Sequence, residues 1–135
     1  MMLKSIPLLA AVLIIYNLIA FITPATLTGT VIDTGLVSGA QWIFSVNDLL
    51  LFLAIILLYI EIIKSTQTST SSIVDHVLSM LVFIVFLMEF ILVPQVGNST
   101  FFLIMLISFI DVIAGFTITI STARRDITMD RQMIR

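Results

Sequence analysis

The chain has 135 residues, 60% of them hydrophobic and 10% charged, and its mean hydropathy is +1.24. A soluble domain carries about 25% charged residues, so this composition does not fit a water-soluble fold; six Lys/Arg against eight Asp/Glu also give no basic footprint for nucleic acid. With no cysteine and one histidine, His76, the chain has no disulfide, thiolate metal site or bis-histidine haem site within one subunit.

A helix needs about 20 mostly apolar residues to cross a bilayer, and four stretches qualify. The first, 6–23, reads IPLLAAVLIIYNLIAFIT. Pro7 suits its first turn, where a missing N–H leaves no bond unmade. Lys4, the apolar run and Thr23-Pro24-Ala25 also fit a signal peptide; we read the segment as a retained signal anchor. The outer connection, 24–41, is PATLTGTVIDTGLVSGAQ, and its Thr and Gly suit a short hairpin or an extended lid. Asp33-Thr34-Gly35 matches the short signature of aspartic proteases. That chemistry needs a second aspartate held beside the first in a surrounding β-domain, which so short a connection does not supply.

The second span, 42–63, opens on Trp42 at the outer interface and carries Asp48. The inner loop, 64–75, begins with the polar run KSTQTSTSS, a solvated loop or a phosphorylation target. Its last four residues, Ser72-Ile73-Val74-Asp75, have capping-box spacing and are expected to start the third span, 76–96. The short link that follows makes spans three and four antiparallel neighbours. Within it, Asn98-Ser99-Thr100 is a glycosylation sequon, which matters only in a eukaryotic secretory pathway. The fourth span is 100–122. The tail, 123–135, is expected to prolong its helix out of the membrane, with arginines near headgroups.

All six basic residues, Lys4, Lys64, Arg124, Arg125, Arg131 and Arg135, fall on one side of this arrangement. The positive-inside rule then places both termini and the 64–75 loop in the cytoplasm. The expected fold is all-α: a polytopic integral membrane protein of a bacterial inner (plasma) membrane. Its four transmembrane helices form one domain as two antiparallel hairpins. Lys4, Lys64, Arg124 and Arg125 serve topology and lipid headgroups.

Each span carries one polar residue away from its inner end. At a helical rise of about 1.5 Å per residue, Asp111 lies ~16 Å below Thr100 and Glu89 ~13 Å below Asn98. Asp48 lies ~9 Å below Trp42, with Asn17 about as deep in span one. A layer of Asn17, Asp48, Glu89 and Asp111 is therefore expected, with Ser108 on the Asp111 face of span four. Glu61 and Asp75 are read as ordinary inner-face acids. An aspartate at a helix centre costs about 2.5–3.5 kcal/mol on insertion scales, so these groups should face inward. Small Ala114 and Gly115 beside Asp111 admit a neighbouring helix. The carboxyls are then neutral and hydrogen-bonded, or they bind protons or cations, or they meet a partner's cation.

Two functions follow. In the first, the chain is a non-catalytic structural or accessory subunit of an oligomer or larger membrane complex, with protonated carboxyls packing its helices. In the second, it is a small oligomeric transporter or channel coupled to protons or cations through Glu89 and Asp111. Asp48 and Asp111 share carboxyl chemistry with intramembrane aspartyl proteases, but the Gly-x-Gly-Asp sequence of that family is missing. Size and span number are similar to those of small multidrug transporters, whose key glutamate lies in the first helix; here that helix carries only Asn17. No enzyme activity, cofactor or metal is expected. The expected partners are the bilayer and either further copies or other membrane subunits.

Overall fold

Three helices are long and apolar enough to cross a membrane, covering Val46–Ser65, Ile73–Leu92 and Ser99–Met129. The computed structural model describes residues 6–66 and 70–134, with the side chains of 70–72, 122, 126, 130, 133 and 134 left out. Its order is α1 (Leu9–Ile22), a 3₁₀ turn (Pro24–Thr28), β1 (Thr30–Gly35), β2 (Gln41–Ser45), α2 (Val46–Ser65), α3 (Thr70–Leu92), a second 3₁₀ turn (Pro94–Val96) and α4 (Ser99–Ile134). The fourth apolar helix, α1, has 14 residues, or ~21 Å of length. Helix α4 continues through Arg124, Arg125 and Arg131 to Ile134. Lys4, Gln67 and Arg135 lie outside the described residues.

Residues 42–45, expected as the first turn of span two, belong to β2 (Gln41–Ser45) instead. Hydropathy does not separate a short apolar strand from a helix, and Trp42-Ile43-Phe44 is rich in strand-forming side chains. β2 pairs antiparallel with β1, with Thr34 opposite Trp42 and Asp33 opposite Ile43. The turn closes through Leu36 N–H to Ala40 O at 2.8 Å and Gly39 N–H to Leu36 O at 2.9 Å. Gly39 has a φ of +91°, which suits a residue without Cβ. α2 then starts at a capping box. Ser45 Oγ accepts the Asp48 N–H at 3.3 Å, and the Asp48 carboxylate accepts the Ser45 N–H at 2.9 Å. α3 already includes Thr70, ahead of the expected cap at Ser72, and Asp75 is engaged with Lys64.

α4 packs chiefly on α2 and α3, while α1 lies against both of those helices. The centre is apolar: Val12 of α1, Ala54 of α2, Phe86 of α3 and Ile104 of α4 are fully buried. Ring pairs join α3 to α4, Phe86 to Phe101 at 5.3 Å and Phe83 to Phe109 at 5.1 Å between centroids. Each such pair adds about 0.5–1.5 kcal/mol beyond burial. The β-hairpin and the 94–98 turn mark one end of the bundle, hereafter the hairpin end. The start of α1, the α2–α3 connection and the α4 extension mark the other, the tail end.

Near the tail end, a Cβ added at Gly115 would meet the His76 ring at 2.8 Å. Alanine is otherwise the better helix former, so any loss reports the clash. Gly115→Ala is expected to destabilise by about 1–3 kcal/mol, read from thermal unfolding in detergent. His76→Ala in the same chain should recover most of that loss.

Candidate functional site

The buried polar side chains gather in two clusters, one at each end of the bundle. At the hairpin end, Tyr16 donates to Asn47 Oδ1 or Asn98 Oδ1, at 3.1 and 2.9 Å. Asn98 Oδ1 also accepts the Phe101 N–H at 2.9 Å, which caps the start of α4. Beside them, Asn17 Nδ2 donates to Glu89 Oε2 at 2.9 Å and to its own helix at Leu13 O. Both lie in a groove of about 430 Å³ that Leu13, Leu18 and Phe21 also line.

The tail-end cluster is richer in charge. Lys64 Nζ reaches Glu61 Oε1 at 3.2 Å, Asp75 Oδ1 at 3.5 Å and Ile6 O at 3.1 Å. Glu61 Oε1 also accepts the Leu8 N–H at 2.6 Å. Leu8 caps α1 without any side-chain bond of its own, so a carboxylate from α2 satisfies a donor that a helix start leaves open. A negative charge there also suits the helix dipole. Asp111 of α4 is buried beside this network. Ser79 hydrogen-bonds its carboxyl, and Glu61, Asp75 and Lys64 are the charged groups that act on it. His76 Nε2 meets Thr119 Oγ1, and the His76 ring lies over Phe116 at 5.4 Å. Ser65 Oγ donates to Glu61 O at 3.0 Å. Glu61, Ser65, Asp75, His76, Ser79, Ser108 and Asp111 are all buried.

The expected single layer is therefore divided. Asn17 and Glu89 come together. Asp48 is spent in the cap of α2, where its exposed carboxylate accepts from the Ser45 N–H and hydroxyl. Asp111 goes to the other end, with Ser108 buried one turn above it on the same helix. The error lies in the 93–98 link, which holds a 3₁₀ turn and adds no depth. Glu89 is only three residues from the end of α3 at Leu92, ~5 Å. Ser79, which meets Asp111, is ten residues further along α3, ~15 Å away.

Sequence reasoning missed Glu61, Lys64, Asp75, His76, Ser79 and Thr119 as one group. Their signal is the i,i+4 spacing that puts residues on one helix face: Glu61 with Ser65, Asp75 with Ser79, and Asp111 with Gly115 and Thr119. The Lys64 contacts supply a cation from within the chain. Among the described residues, no group of three His, Cys, Asp or Glu is placed to hold a metal ion. The arrangement can tie helices together and hold charge or protons. Compared with protein families, curated proteins and solved structures, the chain matches none.

Removing one partner of a buried ion pair costs about 3–5 kcal/mol. Lys64 keeps 23% of its side-chain surface exposed, so Lys64→Met is expected near the lower bound, about 3 kcal/mol. Glu89→Gln keeps an acceptor for Asn17 and should cost under about 1 kcal/mol. Equal losses in unfolding by denaturing detergent would contradict this ranking.

Proposed function

We propose that the chain is a non-catalytic integral membrane protein acting as a structural or accessory subunit of an oligomer or larger membrane complex. The observation that carries this reading is the apolar β-hairpin. Val31, Ile32, Leu36, Trp42 and Ile43 are exposed, and Val37 at the turn is wholly so, at 109%. These residues lie outside the three long apolar helices, and an isolated two-stranded hairpin is marginal in water. Exposed apolar side chains on both faces of so small a hairpin favour an interaction surface. Thin packing within the chain agrees: 17% of the α2 span and 22% of the α3 span are buried.

In this reading α1 crosses the membrane with α2, α3 and α4. Both termini and the 64–75 loop face the cytoplasm of a bacterial cell, and the hairpin faces outward beside the partner subunit. The alternative, ion-coupled transport through Glu89 and Asp111, now requires a relay between two clusters ~15 Å apart along α3.

Extracted from its native membrane in mild detergent, the protein is expected to elute as an oligomer or with other subunits; a lone monomer would count against this function. Val37→Glu should release the associated chains while leaving helix content unchanged, as read by co-elution and circular dichroism. The cysteine-free sequence also permits a direct topology test. A cysteine at position 37 should react with an impermeant thiol reagent added to intact cells, and one at position 67 should not. Reaction at 67 would reverse the orientation.

A further inference from the structure

Among the described residues, the tail-end cluster carries more negative charge than its cations can balance. α2 contributes Glu61 and Lys64, α3 contributes Asp75 and His76, and α4 contributes Asp111. From α1, among the described residues, come only the Leu8 N–H and the Ile6 carbonyl. Even with His76 counted as a cation, three carboxylates face two positive charges. Desolvation and mutual repulsion both oppose ionising every acid in such a place.

A second observation points to what is missing. Glu61 is 0% exposed. Its Oε1 takes the Leu8 N–H and Lys64, but its Oε2 has no hydrogen-bond partner among the described residues. A buried acceptor left unpaired is costly. Asp111 faces Glu61 across the α2–α4 contact: a Cβ at Gly115 of α4 would lie 3.4 Å from Ser65 Oγ of α2, and Asp111 and Glu61 each precede those residues by one turn on the same helix face. Asp75 is held by Lys64, and His76 turns Nε2 to Thr119 and Nδ1 to Gly115, so neither is the natural donor to Oε2. The described residues provide no three-ligand set for a metal ion. A single proton meets both needs, since it removes one charge and turns a carboxyl group into a donor.

We infer that Asp111 and Glu61 hold one proton between them, with Asp111 as the neutral acid and Glu61 Oε2 as the acceptor, forming a proton-binding site that joins α4 to α2. The other oxygen of Glu61, Oε1, is held by Lys64 and the start of α1. Lys64, partly exposed, lies where the cluster meets the tail-end surface, so exchange with solvent occurs from that end. The inference does not depend on the subunit reading.

Infrared spectroscopy of the purified full chain in lipid tests it. At neutral pH the spectrum should contain a protonated-carboxyl band that shifts when aspartate side chains carry ¹³C. The band should vanish in Asp111→Asn and persist in Asp75→Asn and Glu89→Gln. Glu61→Gln provides a second route should Asp111→Asn fail to fold. Its amide can donate to an ionised Asp111, so the band should vanish there too. Absence of the band from the wild-type protein, or its survival in folded Asp111→Asn, would overturn the site. An unshifted band in Glu61→Gln would overturn the pairing.

Discussion

The grip of Lys64 on Glu61, Asp75 and the Ile6 carbonyl is the constraint on which the tail end depends. A single ammonium group joins the helix that carries it to α3 and to the chain entering α1. The same Glu61 oxygen caps α1 through the Leu8 N–H. Three helices thus meet at one carboxylate and one ammonium. The last turn of α2 favours a cation and the first turn of α1 favours an anion. Both helix dipoles therefore support the pair in the places it occupies.

The hairpin end uses neutral groups for the same task. Tyr16 reaches both Asn47 and Asn98, tying α1 to the start of α2 and to the turn before α4. Asn17 ties α1 to α3 through Glu89. α1 is the shortest helix and is fastened by polar bonds at each end, with Val12 packed in the apolar centre between them. Interhelical hydrogen bonds in membranes are individually modest, averaging about 0.6 kcal/mol. Their value here is positional, because they fix which face of α1 turns inward.

The three long apolar helices were legible because hydropathy over 18 or more residues is a strong signal; α1, at 14 residues, falls short of that length. The hairpin was partly so: Gly and Thr in 24–41 suggest a turn, but Trp42-Ile43-Phe44 is as apolar as the helix it precedes. Ser45 and Asp48 form a capping box whose spacing is present in the sequence, and reading Asp48 as an intramembrane acid overlooked it. Depth along α3 was misjudged because counting back from Asn98 treats a 3₁₀ turn as helix. His76 could not be placed from sequence at all. Its position depends on Gly115 leaving room for its ring on another helix, a contact between residues 39 positions apart.

Two polar clusters separated by an apolar centre impose different conditions on charge. Asp111 is twelve residues into α4, ~18 Å from its hairpin end, deep in a helix long and apolar enough to cross a membrane. A lone carboxylate at that depth is expensive, while a lysine near a helix end can extend its ammonium toward the interface. Lys64 sits at the end of α2, one residue before Ser65. Its reach ties Glu61 and Asp75 together at that end, while Asp111, level with Glu61 and beside Ser79, has no contact with the ammonium. The order along the bundle is therefore chemical: the Lys64 ion pairs toward the tail, the buried Asp111 beside them, and apolar rings beyond.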